Sequence, residues 1–83
     1  MEYLNPLKVY VSVCADFNDG RITPLSFVWE DEKRYNIDKV LDVRKAASLK
    51  AGGLGIRYTC TVHGKQIYLY FDEDELRWFM ERK

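Results

Sequence analysis

IRYTCTVHGKQIYLYF, residues 56–71, decides the class of fold. Its first half alternates without a break, with Ile56, Tyr58, Cys60 and Val62 against Arg57, Thr59 and Thr61. The second half continues the pattern with Ile67, Leu69 and Phe71 against Tyr68 and Tyr70. A period of two places each set on one face of a strand, and the glycine between the two runs marks a tight hairpin. Taking Gly64-Lys65 as a two-residue turn with glycine first pairs Val62 with Ile67, Cys60 with Leu69 and Tyr58 with Phe71 on the buried face. The same register sets Thr61 opposite Tyr68, Thr59 opposite Tyr70 and Arg57 opposite Asp72 on the other face.

On the N-terminal side of this hairpin, Arg44–Ala51 (RKAASLKA) is rich in helix formers and is followed by Gly52 and Gly53. One or two helical turns ended by a glycine cap fit this run, and so does a plain ordered loop. A helix so short would hold only if Leu49 and Ala46 packed on the sheet. On the C-terminal side an acidic run, Asp72–Glu75, precedes LRWFMERK. We read residues 76–82 as a further strand across a short acidic turn; the rival is a terminal helix with Leu76, Phe79 and Met80 at helical spacing.

The first half of the chain repeats the strand pattern. Val9, Val11 and Val13 alternate with Lys8, Tyr10 and Ser12, and Asn18-Asp19-Gly20 reads as a three-residue loop with Gly20 in the left-handed position of a bulge. That register pairs Phe17 with Arg21, Val13 with Leu25, Val11 with Phe27 and Val9 with Trp29. A two-residue Asp19-Gly20 turn would set Val13 against Ser26 and strand Phe27 across from Ser12, because a one-residue slip flips every side chain. Pro24 lacks an N–H and demands a bulge or an edge. A loop of Asp31, Glu32 and Lys33 would then pair Glu30 with Arg34 in an ion pair, Trp29 with Tyr35 and Phe27 with Ile37. The third strand runs to about Val43, and its apolar positions change parity near Lys39, so a bulge or strong bend belongs there.

The expected architecture is one all-β domain spanning residues 1–83, with at most one short helix. It is a small six-stranded antiparallel barrel or rolled sheet, built from two three-strand units joined by the glycine-rich stretch.

Pro24-Leu25-Ser26-Phe27-Val28-Trp29, followed by Tyr35-Asn36-Ile37-Asp38-Lys39-Val40-Leu41-Asp42, resembles a group of small bacterial, clostridial-type proteins that form a domain of unknown function. They share a P-x-x-F-x-W turn, a Y-x-I-x-x-V-L strand and a later hairpin ending in W-F or W-x-L. The later half, from Gly53-Leu54-Gly55-Ile56-Arg57-Tyr58 to Trp78-Phe79, is similar as well, and the resemblance covers about residues 21–80. It implies a bacterial source and a small β-rich fold. Its motifs are core aromatics and turns, so it transfers no catalytic residue.

Eighty-three residues suit one domain with a small core, and 47% hydrophobic with 14% aromatic residues is the composition of a chain that folds. Thirteen bases balance thirteen acids. Their distribution is uneven: residues 1–42 carry eight acids and five bases and residues 72–83 five acids and three bases. Residues 43–71 carry Arg44, Lys45, Lys50, Arg57 and Lys65 with no acid. Two cysteines without CxxC spacing, Cys14 and Cys60, read as free buried thiols of a reducing compartment. MEYLNPLK is unlike a signal peptide, and no apolar run approaches the roughly 20 residues that cross a bilayer. A cytoplasmic, soluble protein with no membrane partner is expected.

Gly52-Gly53-Leu54-Gly55 between Lys50 and Arg57 matches neither GxxxxGK[ST] nor GxGxxG, so cap and turn outweigh a phosphate cradle. A binding surface is nonetheless expected around Arg44, Lys45, Lys50, Arg57, Tyr68 and Tyr70, where cations border tyrosines on one hairpin face. Such a surface suits a protein partner or a homodimer, and by stacking and charge it also suits nucleic acid or another anion. His63 reads as an exposed turn residue without a catalytic partner, and one histidine with two cysteines falls short of a structural zinc site. Neither enzyme activity, a metal nor a cofactor is expected; the function read here is a non-catalytic interaction or assembly module.

Overall fold

The computed structural model describes residues 7–47 and 54–82. Seven strands form a single antiparallel sheet: β1 (Lys8–Asn18), β2 (Arg21–Val28), β3 (Arg34–Asn36), β4 (Lys39–Ala47), β5 (Leu54–Val62), β6 (Lys65–Asp72) and β7 (Arg77–Glu81). Their order across the sheet is β3-β2-β1-β7-β6-β5-β4. The two outermost strands, β3 and β4, are consecutive in the chain, so the sheet curls into a half-barrel. At the corner between them the Ile37 N–H donates to the Leu25 carbonyl at 2.9 Å, and the Asp38 N–H donates to the Thr61 carbonyl at 2.8 Å. Two successive amides thereby bind opposite ends of one sheet. The parity change expected near Lys39 is this corner together with a bulge between Val40 and Asp42. It splits the expected third strand in two and makes seven strands instead of six.

Three registers differ from the sequence expectation, and each difference has a local cause. Asp19 and Gly20 both have positive φ, 54° and 75°, forming a two-residue turn whose twist matches the strands, with Asn18 opposite Arg21. Parity is then restored by a bulge beside Pro24, so that Ala15 faces Pro24 while Val13 faces Phe27. The bulge absorbs the missing proline N–H. His63 and Gly64, at φ 52° and 76°, form the same kind of turn, with Val62 opposite Lys65, Cys60 opposite Ile67 and Tyr58 opposite Leu69. Phe27 faces Tyr35, leaving Trp29–Lys33 as a loop, and the Glu30–Arg34 pair is replaced by Arg34 donating to Ser26 Oγ at 2.9 Å. In these last two hairpins the slip is by two residues, which preserves the faces.

Neither the short helix nor the plain loop allowed over residues 44–51 forms over the part described. β4 runs through Ala47, with Ala46 opposite Gly55 and Ala47 opposite Leu54; the remainder lies outside the described residues. Pairing with β5 overrides the local helix preference, which is worth only tenths of a kcal/mol per residue (about 0.7 or less). Residues 77–81 are a strand, as read.

The concave face holds the core. Phe27, Tyr58, Cys60, Val62, Leu69, Phe71 and Met80 are buried there. Trp78 packs on Phe71 and Tyr58 at 4.9 and 5.3 Å between ring centroids. The Tyr58 hydroxyl crosses the core and donates to the Ile22 carbonyl at 2.8 Å, tying β2 to β5. Both cysteines are free; Cys60 is buried, whereas Cys14 is exposed, contrary to the reading that both are buried. No helix among the described residues is long and apolar enough to cross a membrane.

Candidate functional site

On the convex face the registers align Arg44, Arg57, Tyr70, Phe79 and Tyr10 in one row across β4, β5, β6, β7 and β1. Tyr70 and Phe79 stack at 5.0 Å and 7° and are 2% and 1% exposed. Lys8 sits 4.4 Å above the Phe79 ring, and the Arg77 guanidinium lies 3.4 Å from the Tyr10 ring centre. Arg57 lies 4.8 Å over Tyr68, and its buried Nε has no hydrogen-bond partner among the described residues. Four of the six expected surface residues, Arg44, Arg57, Tyr68 and Tyr70, therefore share this face. Lys45 lies on the other face, opposite Ile56, and pairs with Glu73 at 3.8 Å; Lys50 lies outside the described residues.

This row is largely occupied with itself. Tyr70 is buried and donates its hydroxyl to Glu81 at 3.3 Å. Burial, reinforced by the Glu81 charge, raises the Tyr70 phenol above its ordinary value. Arg44 grips Asp42 through two bonds, 2.7 and 3.2 Å, and the bonded guanidinium holds the Asp42 carboxyl below its usual value. Of the expected stacking tyrosines only Tyr68, 41% exposed, is open to a base or a partner.

A second feature lies at the open end of the roll. A cavity of about 730 Å³ has an apolar floor of Phe27, Trp29, Tyr35, Val62, Ile67 and Met80. The Trp29–Lys33 loop builds one wall: the Trp29 N–H donates to the Lys33 carbonyl at 3.1 Å and the Glu32 N–H to the Trp29 carbonyl at 3.0 Å. Tyr35 stacks on Phe27 at 5.6 Å and donates its hydroxyl to Asp31 at 2.5 Å. That bond raises the Tyr35 phenol and lowers the Asp31 carboxyl, so the phenol stays protonated. His63 stands edge-on to Tyr35 at 6.2 Å on the rim. Across the mouth Arg82 makes a two-pronged ion pair with Glu30, which lowers the Glu30 carboxyl.

Chemically, this end offers a partly apolar recess with a polar rim, in the size range of about 300–1,000 Å³ that suits an organic ligand or a protein side chain. Sequence reasoning placed Trp29, Tyr35 and Phe27 in the core and missed the recess. The available signal was the pair of aromatics flanking the charged EDEKR loop, a spacing that leaves rings at the end of a sheet. Cys60 is fully buried, and burial pushes its thiol up to about 11, so it is held as a thiol. Among the described residues no three His, Cys, Asp or Glu side chains are grouped to hold a metal ion. No protein-family model matches the chain, and neither does any curated protein or solved structure.

Proposed function

We propose that the chain is a non-catalytic protein-interaction module that receives an apolar side chain of its partner in the mouth of the roll. The observation that carries this reading is the recess of about 730 Å³, floored by Trp29, Tyr35 and Met80 and rimmed by the Glu30–Arg82 pair, His63 and Lys65. An aromatic and methionine floor inside a polar rim is the anatomy of an interaction hot spot. Nucleic-acid binding on the convex face is the weaker reading, since Tyr70 is buried and Asp42 already satisfies Arg44.

Selection from a displayed peptide library tests the proposal. Selected peptides are expected to share one large apolar residue. Trp29→Ala is expected to weaken them by about tenfold or more, the loss of a hot-spot contact, with the circular dichroism of the fold unchanged. Peptides without a common apolar residue, or indifferent to Trp29→Ala, would overturn it. A gel shift with single-stranded DNA and RNA at low salt, weakened by Arg57→Ala, would instead favour the convex face.

A further inference from the structure

β4 is nine residues long and ends the strand order, with β5 as its only strand neighbour among the described residues. An open edge of that length presents a row of backbone donors and acceptors to any strand that fits. Leu41 and Val43 on it are 50% and 51% exposed, large values for aliphatic side chains. We propose that this edge pairs with the same edge of a second copy, antiparallel and centred on Val43, to make a two-fold homodimer.

Symmetry narrows the registers. A two-fold axis perpendicular to the sheet keeps each face continuous, so one residue must meet its own copy. Centring on Asp42, Arg44 or Lys45 sets like charges against each other, which is unfavourable across strands. Centring on Val43 sets Asp42 of each copy opposite Arg44 of the other, twice, with the two Val43 side chains meeting at the axis. The bulge between Val40 and Asp42 ends the regular register there, so the matched pairs run from Asp42 to Arg44. Asp42 and Arg44 already bond within one chain at 2.7 Å, so both side chains are on one face and within reach of a facing strand. Among the described residues β1 beyond Val11 also lacks a strand on its β7 side, but Asp16 is the only charged residue of that stretch, so no register there pairs opposite charges. The edge of β4 shares no residue with the lining of the mouth.

Sedimentation equilibrium on the full chain tests the proposal through charge reversal. The parent is expected to dimerise, and Asp42→Arg and Arg44→Asp are each expected to weaken the dimer by about tenfold or more, because each sets like charges across the axis twice. Mixing these two variants is expected to restore a dimer, now a heterodimer, since every facing pair is again opposite in sign. The double variant, Asp42→Arg with Arg44→Asp, is expected to recover self-association. A parent that stays monomeric at millimolar concentration, a dimer indifferent to both reversals, or a mixture that stays monomeric would each overturn it.

Discussion

A Cβ on Gly55 would lie 2.7 Å from the Phe71 carbonyl oxygen, so β5 passes β6 here at a distance that excludes any side chain. Gly55→Ala is expected to cost about 1–3 kcal/mol, the range for overpacking, read as a lower urea midpoint with an unchanged slope. At Gly20 the surroundings are open, but φ is 75°, and Gly20→Ala is expected to cost about 1–2 kcal/mol through backbone strain alone. Cys60 sets a pH dependence. Its thiol rises in the folded state from the ordinary 9.0 to about 11, with burial the cause. The folded chain thus keeps a proton that the unfolded chain loses. The associated stability is fully present below pH 9 and is lost as pH climbs toward 11, a drop on the order of 2–3 kcal/mol. Denaturant melts across that range are expected to show the fall in the parent and a flatter profile between pH 9 and 10 in Cys60→Val. Tyr58 and Tyr70, both raised chiefly by burial, add to the fall above pH 10 in both proteins.

The turns decide which element registers could be read from the sequence. Leu76 closes the β6–β7 turn at φ 57° while its side chain is 73% exposed. A leucine in that conformation costs about 1–2 kcal/mol, against about 0.5–1 kcal/mol of extra chain entropy lost by a glycine. Leu76→Gly is therefore expected to raise stability by a net amount of about 0.5–1 kcal/mol, visible as a higher melting temperature. Alternation alone revealed the buried faces of β5 and β6, because Ile56, Tyr58 and Cys60 against Ile67, Leu69 and Phe71 survive a two-residue slip. The slip itself followed from His63, which adopts a positive φ that sequence preference assigns first to glycine, asparagine or aspartate. Arg44–Ala47 read as helix or loop because their composition is local information, whereas the pairing that makes them a strand comes from β5. The convex surface was legible as a set of residues sharing a face and not as a set of exposed ones. Tyr70 is buried by Phe79, a neighbour contributed by the one segment whose strand or helix character stayed open.

At the scale of the molecule, three of the five bases of the basic third are engaged within the fold: Arg44 is held by Asp42, Lys45 by Glu73 and Arg57 by the Tyr68 ring, so two of them meet acids from the flanking segments. The same long-range logic governs cohesion. Apart from the Tyr58–Ile22 bond, the Glu30–Arg82 pair and side-chain packing, the roll is drawn together where Ile37 and Asp38 donate to opposite ends of the sheet. Asp38→Pro removes the N–H that reaches Thr61 and leaves that carbonyl without its partner, a loss of about 1–3 kcal/mol. Asp38→Ala keeps the backbone bond and removes only the long 3.4 Å contact from Gly64 N–H to the carboxylate, and is expected to stay within about 0.5 kcal/mol of the parent. The two tryptophans report on different parts of the structure: Trp29 follows β2, and Trp78 lies in β7. In the parent, unfolding curves from Trp29→Phe and Trp78→Phe chains are expected to coincide after correction for the cost of each substitution, as a single cooperative unit requires. With Asp38→Pro added, the signal of Trp29 is expected to change at lower denaturant than that of Trp78, because β2 and β3 lose their joint to β5 while the β5–β6–β7 hairpins keep theirs. Coincident curves in that background would place the cohesion of the roll in the Tyr58–Ile22 bond and the shared core instead of the corner.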